Sequence, residues 1–264
     1  MIIYRRGRWS PVAGSFQLPA SGAFTTLTFR TGRPLFFGEH IERLQADARA
    51  ARVLVPEASR TARILRRGIA RFGMGRGVAR LIVTRADGAG TGELTITLEL
   101  PRPIPRRIRL LLVSHTPTCR RDRKLAAWND ARRAFTRAQA AGCFDALLVD
   151  GTDILECCRT NVLVVRNNRI VTPPADGRIL PGIARRFLME ATALGVREHR
   201  VRPGSLPGAD ALLLINSVRG VLPVTDVIDE HGRILWCDSG SSTSADPVRQ
   251  AWRRIVRQNS GPHG

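Results

Sequence analysis

The sequence predicts an α+β / α/β protein of two domains. A small N-terminal α+β domain spans 1–113, a linker spans 114–123, and a larger mixed-sheet C-terminal domain spans 124–264. Three observations predict this. Segments with strand-like alternation interleave with segments whose apolar residues recur at helical spacing. Residues 114–123, SHTPTCRRDR, are polar and proline-bearing, as suits a connection between domains. A chain of 264 residues that is 43% hydrophobic can bury one large core or two modest ones.

In the N-terminal part, 24–30 (FTTLTFR) and 34–37 (PLFF) read as a hairpin turning at Thr31-Gly32-Arg33. From Gly38 to about Arg52 the pattern is helical, with Ile41, Leu44 and Ala48 on one face, and a second helix is expected near 57–71. Gly73, Gly75 and Gly77 precede a strand over 78–84. A phosphate loop would lie between a strand and a helix, so this cluster reads as an ordinary loop. Strands follow near 93–100 and 107–113. Beyond the linker come a helix over 128–141 and strands over 145–149, 162–166 and 169–172, stopped by Pro173-Pro174. Leu180-Pro181-Gly182 leads a helix over 183–194, and an apolar strand covers 211–216. Residues 239–245 are Ser/Gly-rich and expected to be flexible. They precede an amphipathic helix over 247–258 with Val248, Trp252 and Ile255 on one face.

The formal charge of +20 raises nucleic acid as a partner. However, the arginines are scattered from Arg5 to Arg257, and the nine Phe and one Tyr do not interleave with them as a stacking platform requires. The charge is read as arginine-rich composition with attraction for a small anionic substrate. Five cysteines, an odd number without metal-ligand spacing, suit reduced thiols in the cytoplasm. The start lacks the apolar stretch of a signal peptide, and no run is long enough to span a bilayer.

Lys124 is the only lysine; the other 41 of the 42 basic residues are arginine. Arginine stays protonated, whereas a desolvated lysine amine can lose its proton and act as nucleophile, base or Schiff-base partner. Composition alone leaves such a role and chance survival on the surface equally open. Three further segments share this question: HIERL at 40–44, LECCRTN at 155–161 followed by LPGIARR at 180–186, and INSVRGVLPV at 215–224. Singly, each has an ordinary explanation. Arg43 reads as a solvated helix residue, Glu156 as a strand-end acid, Pro181-Gly182 as a helix start and Ser217 as a turn residue. His40 reads as packing or capping, and Cys157 and Cys158 as small buried side chains.

Jointly, in this order and spacing, they resemble the fold-type IV pyridoxal-phosphate enzymes, the class-IV aminotransferase family. That family includes branched-chain and D-amino-acid aminotransferases and aminodeoxychorismate lyases. The resemblance runs from about Gly22 to about Asp226 and is strongest from Asp145 onward. It implies a D-amino-acid-aminotransferase-like fold, a pyridoxal 5'-phosphate cofactor and a homodimer. It makes Lys124 the Schiff-base lysine and Glu156, which begins a Glu-x-x-x-x-Asn motif completed by Asn161, the partner of the ring nitrogen. Arg43, the backbone N–H groups of Ile183 and Ala184, and Ser217 would hold the phosphate.

Glu156-Cys157-Cys158-x-x-Asn161, Gly22-Ala23-Phe24-Thr25-Thr26 and Asn216-Ser217-Val218-Arg219-Gly220 look like the aminodeoxychorismate lyase branch. This implies conversion of 4-amino-4-deoxychorismate to 4-aminobenzoate and pyruvate. Arg219 and Arg85 are the candidates for the substrate carboxylates, and Thr25 or Thr26 for a proton relay. The alternatives are a D-amino-acid or branched-chain aminotransferase and, more distantly, an arginine-rich nucleic-acid-binding protein. The sequence departs from the family at Ala184, where Thr is common. It departs again at Leu125–Asn129, where Asn then Tyr or Arg is common, and at the missing Asp-Arg-Gly before GAFTT. Tyr4 is the only tyrosine, so the usual aromatic hydroxyl near the lysine is not evident; Asn129 is the candidate substitute.

Overall fold

The structure is a computed structural model that describes residues 1–14, 19, 21–85, 92–117, 121–125, 129–238, 240 and 242–260. It divides into two compact units. One comprises Met1–Pro103, Lys124–Ala127 and Val256–Gly264; the other comprises Ile104–Arg123 and Trp128–Ile255. Lys124 thus groups with the N-terminal strands. The fold is the mixed α and β fold type that the sequence predicts.

The first unit is built from β1 (Ile2–Arg5), β2 (Arg8–Pro11), β3 (Ala23–Arg30), β4 (Arg33–Pro34), α1 (Phe37–Ala50), α2 (Ala58–Arg71), β5 (Arg76–Arg85) and β6 (Gly92–Glu99). The strands form one antiparallel sheet in the order β2-β1-β6-β5-β3-β4. Alternation along β3 sets its two faces. Ala23, Leu27 and Phe29 join Ile41, Leu44, Leu65 and Ile69 of the two helices in one core, while Phe24, Thr26 and Thr28 point the other way. The expected strand over 34–37 shrinks to Arg33–Pro34. Leu35 and Phe36 are buried, and Phe36 takes a left-handed φ of 53° that turns the chain directly into α1. The β1–β2 hairpin was not expected. It is held by Trp9, whose ring lies against Gly68 of α2 so closely that a Cβ there would come within 2.2 Å of it.

Because β4 covers only the far end of β3, the near edge of β3 is open to another segment. Residues 124–125 take it: the Phe24 N–H donates to the Lys124 carbonyl at 3.2 Å, and Ala23 bridges Leu125. The Lys124 N–H donates to Asp47 Oδ2 of α1 at 3.0 Å.

The second unit contains β7 (Arg109–Ser114), α3 (Asn129–Ala140), β8 (Asp145–Asp150), β9 (Asp153–Cys157), β10 (Asn161–Arg166), β11 (Arg169–Thr172), α4 (Ile183–Glu190), β12 (Arg197–Glu198), β13 (Ala211–Asn216), β14 (Gly220–Pro223), β15 (Asp226–Ile228), β16 (Ile234–Cys237) and α5 (Asp246–Gln258). Two mixed sheets, β12-β11-β10-β13-β14 and β16-β15-β7-β8-β9, bury Leu110, Leu147, Val162, Leu212 and Val227 in a shared core. Residues of opposite parity on β7 and β8 pack with Ala134 and Ala138 of α3. The helix expected over 183–194 stops at Glu190. Ala191 leaves helical dihedrals (ψ 83°), a 3-10 turn covers Thr192–Leu194, and Gly195 closes it with φ 58°. Of the segment expected to be flexible, 239 and 241 lie outside the described residues. Ser242–Ala245 forms a 3-10 turn that leads into α5, with Ala245 buried. Among the described residues no helix is long and apolar enough to cross a membrane.

Gly220 has φ 72°, and a Cβ on it would lie 2.6 Å from Trp252 Nε1 of α5. Gly220→Ala is expected to destabilise the protein by about 1–3 kcal/mol through backbone strain and that clash. Urea denaturation checks this.

Candidate active site

In the first unit, the Lys124 backbone is pinned to β3 and α1 as described above, and its Nζ lies 5.2 Å from the centre of the Phe24 ring. On the opposite face of the same strand, Thr25 is buried against α1. Arg43 Nη2 donates to Thr25 Oγ1 at 2.9 Å, and Thr25 Oγ1 lies 2.6 Å from His40 Nδ1. Arg43 Nη2 also lies 3.4 Å from His40 Nδ1, and because a guanidinium can only donate, Nδ1 is an acceptor and takes the Thr25 hydroxyl hydrogen. His40 is then the tautomer protonated at Nε2, an atom buried without a hydrogen-bond partner among the described residues. Burial first, then the nearby Arg43 and Lys124 charges, holds the imidazole well below its ordinary pKa. Burial also pushes the Arg43 guanidinium down to about 10, opposed by Asp47, and its Nε is likewise buried without a partner.

Strand alternation separates the two threonines named from the sequence. Thr25 supports Arg43, whereas Thr26 shares the face of Phe24 and sits opposite Arg80 of β5. Arg80 is half-buried, and its Nε has no hydrogen-bond partner among the described residues. Burial lowers its pKa despite the charge of Glu99. Arg85, at the end of β5, is exposed, and residues 86–91 after it lie outside the described residues.

In the second unit, Glu156 lies on β9 and is 3% exposed. Both carboxylate oxygens accept the Leu180 N–H at 3.2 Å. Oε2 accepts Asn161 Nδ2 at 3.0 Å, and Oε1 accepts Nε of the fully buried Arg121 at 3.3 Å. Asn161 Nδ2 also donates to the Leu180 carbonyl at 2.8 Å, so β9, β10 and the approach to α4 meet at one carboxylate. Gly182 makes this possible: a Cβ there would lie 2.0 Å from Asn161 Oδ1. Gly182 then caps α4 without a side-chain hydrogen bond, and the first helical bond runs from Arg186 N–H to the Gly182 carbonyl. The first-turn N–H groups of Ile183 and Ala184 therefore precede the helix's own bonding, the usual position for an anion. Ser217 is half-buried in a turn shaped by Asn216, whose Oδ1 accepts the N–H groups of Val218 and Arg219 at 3.0 and 2.7 Å. The Arg219 guanidinium stacks 5.1 Å over the Phe144 ring.

Tyr4 packs on Trp9 in the β1–β2 hairpin, ring centres 5.2 Å apart. Asn129 is exposed at the start of α3, and Ala126, Ala127 and Trp128 lie outside the described residues. The sequence reading missed Arg80, although an arginine inside the apolar run VARLIV was a legible signal. It also missed Arg121, which carries no signal as one arginine among 41 in a polar segment. The donor chemistry suits pyridoxal phosphate: one amine, one buried carboxylate fixed by donors, a buried guanidinium and a helix start whose first N–H groups precede the helix's own bonding. Among the described residues no group of His, Cys, Asp and Glu is arranged to hold a metal.

A family profile described as amino-transferase class IV matches residues 22–227. A probable branched-chain-amino-acid aminotransferase of Rickettsia conorii is 28% identical over 156 residues, 58% of this chain; the chain spans about half (52%) of that relative. A D-alanine aminotransferase of Listeria innocua is 23% identical over 78% of each chain. A solved structure from Legionella pneumophila, provisionally named a 4-amino-4-deoxychorismate lyase, shares the fold with a TM-score of 0.75 and 21% identity, covering 89% of this chain and 91% of its own.

Two outcomes follow from the His40 cluster. Thr25→Val strands the Arg43 donor and the His40 acceptor, and is expected to cost about 1–3 kcal/mol in urea denaturation. His40 is neutral in the fold but protonates when unfolded, so its contribution is intact above the ordinary histidine value of about 6.5 and is lost as pH falls below it. His40→Gln is therefore expected to flatten the loss of stability between about pH 7 and pH 5, followed by denaturation at each pH.

Proposed function

Because the chain belongs to the class IV aminotransferase family and is thus a pyridoxal-phosphate enzyme, we propose that it is a lyase that converts 4-amino-4-deoxychorismate to 4-aminobenzoate and pyruvate. The observation that carries this reading is the sheet face beside Lys124, where the Phe24 ring, Thr26 and Arg80, whose Nε has no hydrogen-bond partner among the described residues, share one face. An apolar surface, a proton carrier and a guanidinium suit a flat ring that bears carboxylates. The lyase-like sequence features Glu156-Cys157-Cys158-x-x-Asn161, GAFTT and NSVRG point the same way.

The cofactor, when bound, supplies an electron sink at the carbon that loses its proton. This chain's residues do the rest. Lys124 Nζ anchors the cofactor and then takes the ring proton. Thr26 Oγ1 passes a proton toward the departing enolpyruvyl group. Arg80 pairs with a substrate carboxylate, with Arg219 and Arg85 as further candidates. Glu156 holds the proton on the cofactor's ring nitrogen. Arg43, the N–H groups of Ile183 and Ala184, and Ser217 bind the phosphate. The carbon–oxygen bond breaks, one proton leaves the ring and one is returned to the enol, so no second substrate is needed.

The names of the curated relatives favour a second reading, amino transfer from a D-amino or branched-chain amino acid. In either case the family resemblance supports a cytoplasmic homodimer.

Purified protein given 4-amino-4-deoxychorismate is expected to release 4-aminobenzoate and pyruvate in equal amounts. Amino transfer to 2-oxoglutarate without 4-aminobenzoate would replace the lyase reading with the second one. Arg80→Leu is expected to raise KM about tenfold or more while cofactor absorbance is retained.

A further inference from the structure

His40 is a buried titratable side chain that the proposed reaction does not use. It lies one helical turn before Arg43 on α1, and both side chains reach the same hydroxyl of β3. His40 and Thr25 are each fully buried. Thr25 Oγ1 gives its hydrogen to His40 Nδ1 at 2.6 Å, which leaves its lone pairs for Arg43 Nη2 at 2.9 Å. His40 Nδ1 itself lies 3.4 Å from the same Nη2. The guanidinium is thus held at one nitrogen, while its Nε is buried with no hydrogen-bond partner among the described residues. Because a guanidinium carries its donors on one rigid plane, fixing Nη2 restricts the direction of the others.

Both groups that hold Nη2 are neutral. Burial, then the Arg43 and Lys124 charges, disfavours the imidazolium form of His40. A hydroxyl and an uncharged imidazole orient the guanidinium without cancelling its charge. A carboxylate in their place would compete for it with an incoming anion. Asp47, one turn further along α1, acts on Arg43 through its charge, and its Oδ2 accepts the Lys124 main-chain N–H. With a pKa of about 10, Arg43 remains a cation at neutral pH. We propose that His40 and Thr25 are positioning residues that aim the Arg43 guanidinium and so make this protein select the phosphorylated form of its cofactor over the form without phosphate. This rests on the reading that Arg43 binds the cofactor's phosphate.

The test compares the affinities of the full-length, cofactor-stripped protein for pyridoxal phosphate and for pyridoxal, read by absorbance in each variant. Their ratio isolates the phosphate, because the aldehyde and the ring are common to both ligands. Arg43→Leu is expected to lower the preference for pyridoxal phosphate about tenfold or more. Thr25→Val and His40→Leu are each expected to lower it about tenfold while pyridoxal binding changes little. Thr25→Ser and His40→Asn keep an acceptor in the same place and are expected to recover most of the preference. His40 Nε2 has no partner among the described residues for His40→Leu to strand, so that variant gives the answer if Thr25→Val fails to fold. Equal weakening of both ligands, or a lower melting temperature with the ratio unchanged, marks a purely structural role and overturns the proposal. So does a loss in Thr25→Ser and His40→Asn as large as in Thr25→Val and His40→Leu. If Arg43→Leu itself leaves the ratio unchanged, the reading of Arg43 has failed and the proposal falls with it.

Discussion

The carboxylate of Glu156 is the constraint on which the second unit's site depends. It is a buried acceptor whose donors come from three separate places: the Leu180 main chain, the Asn161 side chain and Arg121. Losing any one would leave a buried polar group without its partner, which costs more than the bond itself contributes. The same contacts fix where β10 begins and where the chain turns toward α4, and Gly182 is the residue small enough to let Asn161 approach. Position and charge are thus set together. Donors that hold the acid still also leave it no freedom to rotate away from a ligand.

The first unit uses a different device. Lys124 is held by its backbone, through β3 and Asp47, and its amine lies 5.2 Å from the centre of the Phe24 ring. The short β4 leaves the near edge of β3 unpaired, and residues 124–125 complete it. Strand alternation then assigns tasks: Thr25 faces inward and organises Arg43 and His40, while Phe24 and Thr26 face the other way with Arg80. Burial of Arg43 and Arg80, each with an Nε that has no hydrogen-bond partner among the described residues, is unfavourable in the protein alone and suits anionic ligands.

Much of this was legible in the sequence. The helices over α1, α2, α3 and α5 and the long strands carry clear periodicity, and the solitary lysine with the spaced Glu, Asn, Pro-Gly and Asn-Ser elements is what makes these residues candidates for the site. β9 was not legible: DILEC is short and carries two acids, and only tertiary donors make burial of Glu156 tolerable. The end of α4 was missed because the apolar pattern continues past the point where Ala191 leaves helical geometry. The Thr25–His40–Arg43 cluster joins a strand to a helix, and no spacing rule links Thr25 to the other two.

The central claim is that Lys124 carries the cofactor. Borohydride reduction of the purified protein with pyridoxal phosphate, followed by peptide mass spectrometry, tests it directly, since no other side chain in the sequence offers a primary amine. The account predicts a single phosphopyridoxyl group on the peptide containing Lys124, absent from Lys124→Ala. An unmodified chain, or a label confined to the amino terminus, would contradict it.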